Sequence, residues 1–374
     1  MTKKLYFENL DGLRFLCFLS VFFYHSFYTQ YDSILYSPWY QFIKKDVFGN
    51  GNLGVNFFFV LSGFLITFLL LEEKKMNGQI NLKNFWIRRI LRIWPLYFIC
   101  VFFGFFIFPI LKSAFGQTPN ETASIWYYLT FINNFDMINK GLPDASILGA
   151  LWSVAIEEQF YLIWPIILFL LPIKQHYIAF SIIILSSLIF RAFNDNVFIQ
   201  EIHTLSCIGD MAIGAFGAWL IQTNNNFKST FVNLPRNKIF FIYLAFALFY
   251  FFRLYLLHSI NLIRVFERSI IAVIILFIIL EQTYSNKSFF KLSNFKTLSK
   301  LGTISYGLYC LHFVSILITT TLTRKAGITT QLWEVIFIDT PIALFLTIII
   351  GKISYRYFEK PFLKIKDKFA YITK

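Results

Sequence analysis

Residues 10–26 read LDGLRFLCFLSVFFYHS, an apolar run that opens on Asp11 and Arg14 and closes on His25. At about 100° per residue, Arg14 and His25 are about three full turns apart, so both side chains project from one face. The rise between them is ~16 Å, roughly half a bilayer core. Such a helix joins a basic group at one membrane surface to a titratable imidazole at depth. Ionisable groups inside a membrane helix are costly and mark function, although an anchored Arg with a packed His is the structural alternative.

The rest of the chain is of the same kind. Its 374 residues are 57% hydrophobic and only 14% charged, where soluble domains carry about 25% charged residues. Apolar runs of about 20 residues recur, which identifies an all-α, multi-pass integral membrane protein. Ten spans are expected, at about 11–30, 53–71, 91–111, 149–171, 176–192, 204–221, 239–257, 268–283, 301–321 and 335–355, forming a single domain over 1–374. The net charge of +14 lies in short loops, as membrane topology and anionic headgroups require, and not in a nucleic-acid-binding patch. Most of the 34 Lys and Arg fall on the amino-terminal side, including the 74–92 cluster, the 287–300 loop and the tail from Lys352. Both termini are therefore expected in the cytoplasm. Residues 10–30 are too long, and lack the small-residue pattern, for a cleavable signal peptide. Cys17, Cys100, Cys207 and Cys310 read as buried hydrophobes, and the five His give no metal-site spacing. Residues 112–148 are expected to form a loop with a short interfacial helix at 124–132. There Trp126, Tyr127 and Tyr128 would make an interfacial belt or a stacking surface for a sugar.

Four further stretches carry chemistry. In FWIRRILRIWPLYF, Arg89 and Arg92 share a face at the mouth of the third span. With Arg14 and Lys83 they could hold a phosphate or pyrophosphate, or simply anchor the span. In LWSVAIEEQFYLIWP, Glu157 and Glu158 lie two turns inside an apolar helix, where a carboxylate needs a cation, a donor or a proton. Glu157 could orient His25 as an acid–base pair, or meet a buried Arg such as Arg191 or Arg253. Ser62–Gly63 suits helix packing or a ligand contact. In SYGLYCLHF, Tyr309 and His312 could serve as substrate contacts or a proton shuttle, or as helix–helix hydrogen bonds.

These motifs occur in a fixed order: LDGLR with His25, GVNFFFVLSGFLI at 54–66, RRILRIWPLYF at 88–98, LWSVAIEEQFYLIWP at 151–165, SYGLYCLHF at 305–313 and SYRYFEKP at 354–361. Together they resemble the acyltransferase-3 family of integral membrane acyltransferases, over about residues 8–363. The resemblance implies a ten-helix bundle in a bacterial cytoplasmic membrane that moves an acyl group, most often acetyl, from cytoplasmic acyl-CoA to a hydroxyl of a carbohydrate or lipid-linked glycan. Matched by motif, His25 is the essential histidine and Glu157 the carboxylate. Arg14, Arg89 and Arg92 hold the anionic donor, acetyl-CoA. Ser62, Tyr309 and His312 are expected to touch substrate, with no metal required. Many relatives continue into an extracytoplasmic hydrolase-like domain, and none is expected here. The rival reading is a proton-coupled solute transporter or flippase, for which intramembrane His, Glu and Arg would serve equally. The lack of an inverted repeat argues against it. A non-catalytic scaffold leaves the buried ionisable groups unexplained.

Overall fold

The computed structural model describes residues 3–4, 6–259, 261–370 and 372–373, with side chains described over 6–253 and 263–370. Residues 1, 2, 5, 260, 371 and 374, which the expected single domain includes, lie outside the described residues. The main helices are α1 (Glu8–His25), α2 (Leu53–Asn77), α3 (Leu82–Ala114), α4 (Ser146–Leu170), α5 (Ile173–Ala192), α6 (Thr204–Thr223), α7 (Arg236–Ser259), α8 (Asn261–Tyr284), α9 (Ser305–Lys325) and α10 (Leu332–Asp367). Each stretch expected to span overlaps one of them, but 26–30 lie beyond α1 and 301–304 precede α9. Among the described residues, seven helices are long and apolar enough to cross a membrane by length and composition: α2 to α6, α9 and α10. An eighth is counted if Asn225–Val232 and Arg236–Arg253, bent by 89°, form one broken span. Charge sets α1 and α8 apart from these seven: Glu8, Asp11 and Arg14 in α1, and Arg264, Glu267, Arg268 and Glu281 in α8. Of these, Asp11, Glu267, Arg268 and Glu281 are buried within the bundle.

Local sequence explains the irregularities of the long helices. Wide π turns at Phe103–Ile107, Val335–Asp339 and Ser354–Glu359 each precede a proline, namely Pro109, Pro341 and Pro361. A proline has no N–H to donate and its ring crowds the carbonyl four residues back, and the widened turn absorbs both effects. At the start of α3, the Asn81 side chain accepts from Asn84 N at 2.9 Å and satisfies an orphan donor.

α2 is the central helix. Its most apolar window is 78% buried, against 17% for α5, whose Ile182, Leu185 and Ile189 lie exposed on the bundle surface. α2 and α6 meet through glycine. A Cβ at Gly63 would lie 2.0 Å from the Met211 carbonyl oxygen, and one at Gly214 would lie 2.0 Å from that of Val60. Small residues let the backbones touch, which is the packing role expected of Ser62–Gly63. Trp164 is buried against Phe160 and Phe180 and donates from Nε1 to Thr67 Oγ1 at 2.8 Å, tying α4 to α2. All four cysteines are buried and unbridged.

Chain direction defines two ends of the bundle. α1 starts, α2 ends and α3 starts at one end, where Lys3–Lys4 also pairs in parallel with Ile372–Thr373. At the other end α1 finishes, α2 begins, and the segment between them folds back. Lys44 Nζ there donates to the carbonyls of Tyr24 and Ser26 at 2.6 and 2.7 Å, closing the last turn of α1. Burial pushes the Lys44 ammonium down to about 8. The loop between α3 and α4 belongs to this end and carries two short helices, Ile125–Leu129 and Asn133–Lys140. Lys112 holds Asp144 at 2.5 Å, and Glu121 accepts from Ala145 N at 3.0 Å. Of the aromatic triplet expected to face outward, Trp126 is exposed, but Tyr128 is fully buried with its hydroxyl toward Leu148 O.

Candidate functional site

A cavity of 290 Å³ enters the bundle at the end where α1 and α3 start. Its mouth is basic: Arg14 from α1, Arg88, Arg89 and Arg92 from α3, and Lys366 from the last turn of α10. Arg14 is paired with buried Asp11. Arg88 donates to Glu73 at 3.3 Å and to Phe369 O at 2.7 Å. Arg89 lies between the rings of Phe85 and Tyr161, with its guanidinium carbon 5.5 and 5.7 Å from their centroids. Its Nε is buried and has no hydrogen-bond partner among the described residues. A buried guanidinium left partly unsatisfied at a cavity wall suits an anionic ligand. Lys83, expected beside these arginines, is not among the lining residues, and Lys366 takes that place. Lys366 is more than 270 residues away in sequence, and only the packing of α10 against α3 brings it near.

Further in, the cavity runs between α2, α4 and α9, where Ser62, Ser153, Glu157, Tyr161 and Tyr309 line it. Glu157 sits against Ser62 and Tyr161, which are hydrogen-bonded to each other, and in the field of Arg89. Glu158, one residue on, leaves the cavity and accepts from Trp94 Nε1 at 2.8 Å. The inner end is closed by Tyr309. Its hydroxyl donates to Ala150 O at 3.2 Å and is 2.7 Å from Ser153 Oγ, and its ring meets Phe58 edge-on.

Beyond Tyr309 lies an imidazole pair. His25 Nδ1 is 3.0 Å from His312 Nε2, and His312 Nδ1 is 2.5 Å from the carbonyl oxygen of Tyr309. This order fixes the protons. A carbonyl accepts only, so His312 Nδ1 carries the hydrogen and its Nε2 is an acceptor. His25 Nδ1 must then donate, leaving the lone pair on His25 Nε2. His312 is fully buried and His25 is partly exposed toward the far end of the bundle.

Two sequence expectations change here. Glu157 is not the partner of His25: it sits with Ser62 and Tyr161, and the group beside His25 is His312. Nor does His312 line the cavity as a substrate contact, since both ring nitrogens are engaged within the protein. Arg191 and Arg253, the alternative partners for Glu157, are also elsewhere, bonded to Ser269 and Glu267. Arg14, Arg89, Arg92, Ser62, Glu157 and Tyr309 do converge on one cavity. Among the described residues there is no group of three or more His, Cys, Asp or Glu placed to hold a metal ion.

A family model described as an acyltransferase domain, acyltransferase-3, matches residues 7–353. The chain is similar to the peptidoglycan O-acetyltransferase OatA of Listeria monocytogenes, 29% identical over 400 aligned positions that cover all of this chain and 60% of that protein. It is also 28% identical over 411 positions to the O-acetyltransferase OatA of Staphylococcus aureus, again covering 60% of it. The chain thus spans about three fifths of the length of these relatives. No solved structure matches it.

Proposed function

Because the chain belongs to the acyltransferase-3 family, we propose that it transfers an acetyl group from acyl-CoA, entering at the arginine mouth, to a hydroxyl of a carbohydrate reached from the other end of the bundle. The observation that carries this reading is the single cavity running from Arg14, Arg88, Arg89 and Arg92 to Ser62, Ser153 and Tyr309. Coenzyme A is a doubly ended ligand, with a highly anionic head and a narrow pantetheine arm. Guanidiniums at the mouth suit the phosphates, and the less charged interior lined by Ser62, Ser153 and Tyr309 suits the arm and thioester. The relatives' names support O-acetyl transfer, and that of the Listeria protein supports a glycan such as peptidoglycan as acceptor.

Under this reading His25 Nε2 is the general base that takes the proton of the acceptor hydroxyl, a role worth about 10²–10⁴ in rate. His312 is a positioning residue. It accepts from His25 Nδ1, holds the reactive tautomer and shares the charge when the imidazolium forms. The Ser153 hydroxyl at the cavity's inner end is the donor nearest the thioester carbonyl, and Glu157 holds Arg89 and Ser62 in place. Tyr309 stands between thioester and imidazole, so transfer requires its side chain to swing aside. Direct transfer fits better than an acyl-enzyme, since no activated nucleophile lines the cavity among the described residues. The same reading assigns ten membrane helices in a bacterial cytoplasmic membrane, with the termini and the arginine mouth inside.

The test is acetyl-CoA binding and turnover by the purified protein. Wild type is expected to bind, Arg89→Ala/Arg92→Ala to lose binding, and His25→Ala to bind without releasing CoA. Absence of acyl-CoA binding by wild type would refute the enzyme reading.

A further inference from the structure

A second cavity, of 150 Å³, opens at the opposite end of the bundle from the arginine mouth. Its described lining comes from the last turn of α5, the start of α2, the short helix Val197–Ile202, Trp152 of α4, Arg253 of α7 and residues 264–268 of α8. Four arginines line it: Arg191, Arg253, Arg264 and Arg268. Three carboxylates answer them. Arg253 pairs with Glu267 at 2.5 Å, Arg268 pairs with buried Asp210 at 2.9 Å, and Glu201 accepts from Asn52 Nδ2 at 2.6 Å. The site is left with an excess of positive charge. Arg191 is only 2% exposed, and Nη2 donates to Ser269 Oγ at 2.7 Å. Its Nε and Nη1 are buried with no partner among the described residues. Two unsatisfied N–H groups of one guanidinium are costly in an apolar bundle, and oxyanion oxygens beside this cation would compensate them.

The position of this cavity matters as much as its charge. Val55 lines both cavities, and neighbouring residues of α4 face opposite ways, Trp152 into the second and Ser153 into the first. The partition is one side chain thick, with Phe59 set edge-on against Trp152 and Arg268 lying over the Phe59 ring. Tyr24, next to His25, lies in the field of Glu201 and Arg253.

We infer that the second cavity holds an anionic group, carboxylate or phosphate, carried by the acceptor glycan, and so fixes the acceptor while its hydroxyl reaches His25. This rests on the acyl-transfer reading above and adds the acceptor's charge class. A neutral sugar hydroxyl could accept from Arg191 but would leave the excess positive charge of the site uncompensated, so acidic acceptors are preferred.

The experiment uses the full chain in nanodiscs of neutral lipid, probed with methyl glucuronide, glucose 1-phosphate and methyl glucoside, reading the thermal midpoint and acetyl-CoA affinity. The two acidic probes are expected to raise the midpoint and the neutral one to leave it unchanged. Arg191→Gln and the half-buried Arg264→Gln should each weaken the acidic probes at least tenfold, with acetyl-CoA affinity held within about twofold. If Arg191→Gln fails to fold, Arg264→Gln decides alone. Equal binding of the neutral sugar, or unchanged affinity in the variants, overturns the inference. So does a midpoint shift that appears only with phosphatidylglycerol in the nanodisc and is not competed by acidic sugar, which would make this a lipid headgroup site. If wild type does not bind acetyl-CoA, the acyl-transfer reading itself has failed. Acetyl-CoA binding without an acidic-sugar response fails only this inference.

Discussion

Replacing His312 separates the imidazole chain from every other account of the site. His312→Ala removes the acceptor 3.0 Å from His25 Nδ1 and frees the ring to adopt the other tautomer or rotate. A hydrogen bond to a group that becomes charged is worth about 1.5–3 kcal/mol. At 1.36 kcal/mol per decade this alone is roughly 10–100-fold in kcat. Loss of the reactive tautomer brings the total toward about 10²–10³, within the range of general-base catalysis. The substitution also opens a void in a fully buried position and lowers stability by about 2–4 kcal/mol, so activity is compared per folded, monodisperse molecule. His312→Gln fills most of that void and offers a carbonyl oxygen to His25 Nδ1, and should return activity to within about tenfold of wild type. Steady-state CoA release from pH 5 to 9 is measured alongside acetyl-CoA affinity. The expected result is a kcat loss for Ala, partial rescue by Gln, and donor affinity unchanged in both, because His312 does not line the donor cavity. Full activity in His312→Ala, or equal losses in Ala and Gln, would refute the tautomer argument.

Other outcomes follow from the same geometry. Arg89→Gln keeps the stacked position between Phe85 and Tyr161 but removes the charge, and acetyl-CoA affinity measured by calorimetry should fall about 10–100-fold with kcat less affected. Gly63→Val should collapse the yield of monodisperse protein in size-exclusion chromatography, because a Cβ there already meets the Met211 carbonyl at 2.0 Å. Arg268→Gln strands Asp210 in the bundle and should cost about 3–5 kcal/mol of stability, seen as a lower thermal midpoint, with Arg268→Gln/Asp210→Asn recovering part of it. Lys44 is held at about 8 in the folded protein, below its unfolded value. Between those two values the unfolded chain binds more protons, so stability rises with pH across that window. The thermal midpoint of Lys44→Met should lack that rise.

What could be read from the chain, and what could not, divides along a physical line. Apolar run length and charge placement are local properties, so the helical stretches and the basic end of the third span were legible. The spacing of Arg89 and Arg92, and of Ser62 within α2, also holds because helix geometry fixes which residues share a face. The partner of an ionisable residue is a different matter. His25 and His312 are 287 positions apart, and nothing in either segment distinguishes His312 from Glu157 as the group that meets His25. Both are polar groups at similar depth, and which one arrives is set by the crossing of α9 over α1. Lys366 was missed for the same reason, since a lysine in a basic tail carries no sign that the tail folds back over a cavity.

The buried charges show what the packing adds. Arg89, Arg191, Arg253 and Arg268 are alike in sequence, each a cation near a helix end. In the bundle Arg253 and Arg268 are matched by Glu267 and Asp210 at 2.5 and 2.9 Å, and their charge is spent on holding helices together. Arg89 keeps its buried Nε, and Arg191 its Nε and Nη1, without a partner among the described residues, one residue in each cavity. A membrane protein retains an unsatisfied buried guanidinium only where something compensates it. Under the proposed acyl-transfer reading the two mark the two ends of one reaction path, with Val55, Trp152 and Tyr309 in the partition between them. If that is their role, combining Arg89→Gln with Arg191→Gln should give additive losses in donor and acceptor affinity, because the two sites share no ligand. A coupling above about 1 kcal/mol would mean that a single anion spans both.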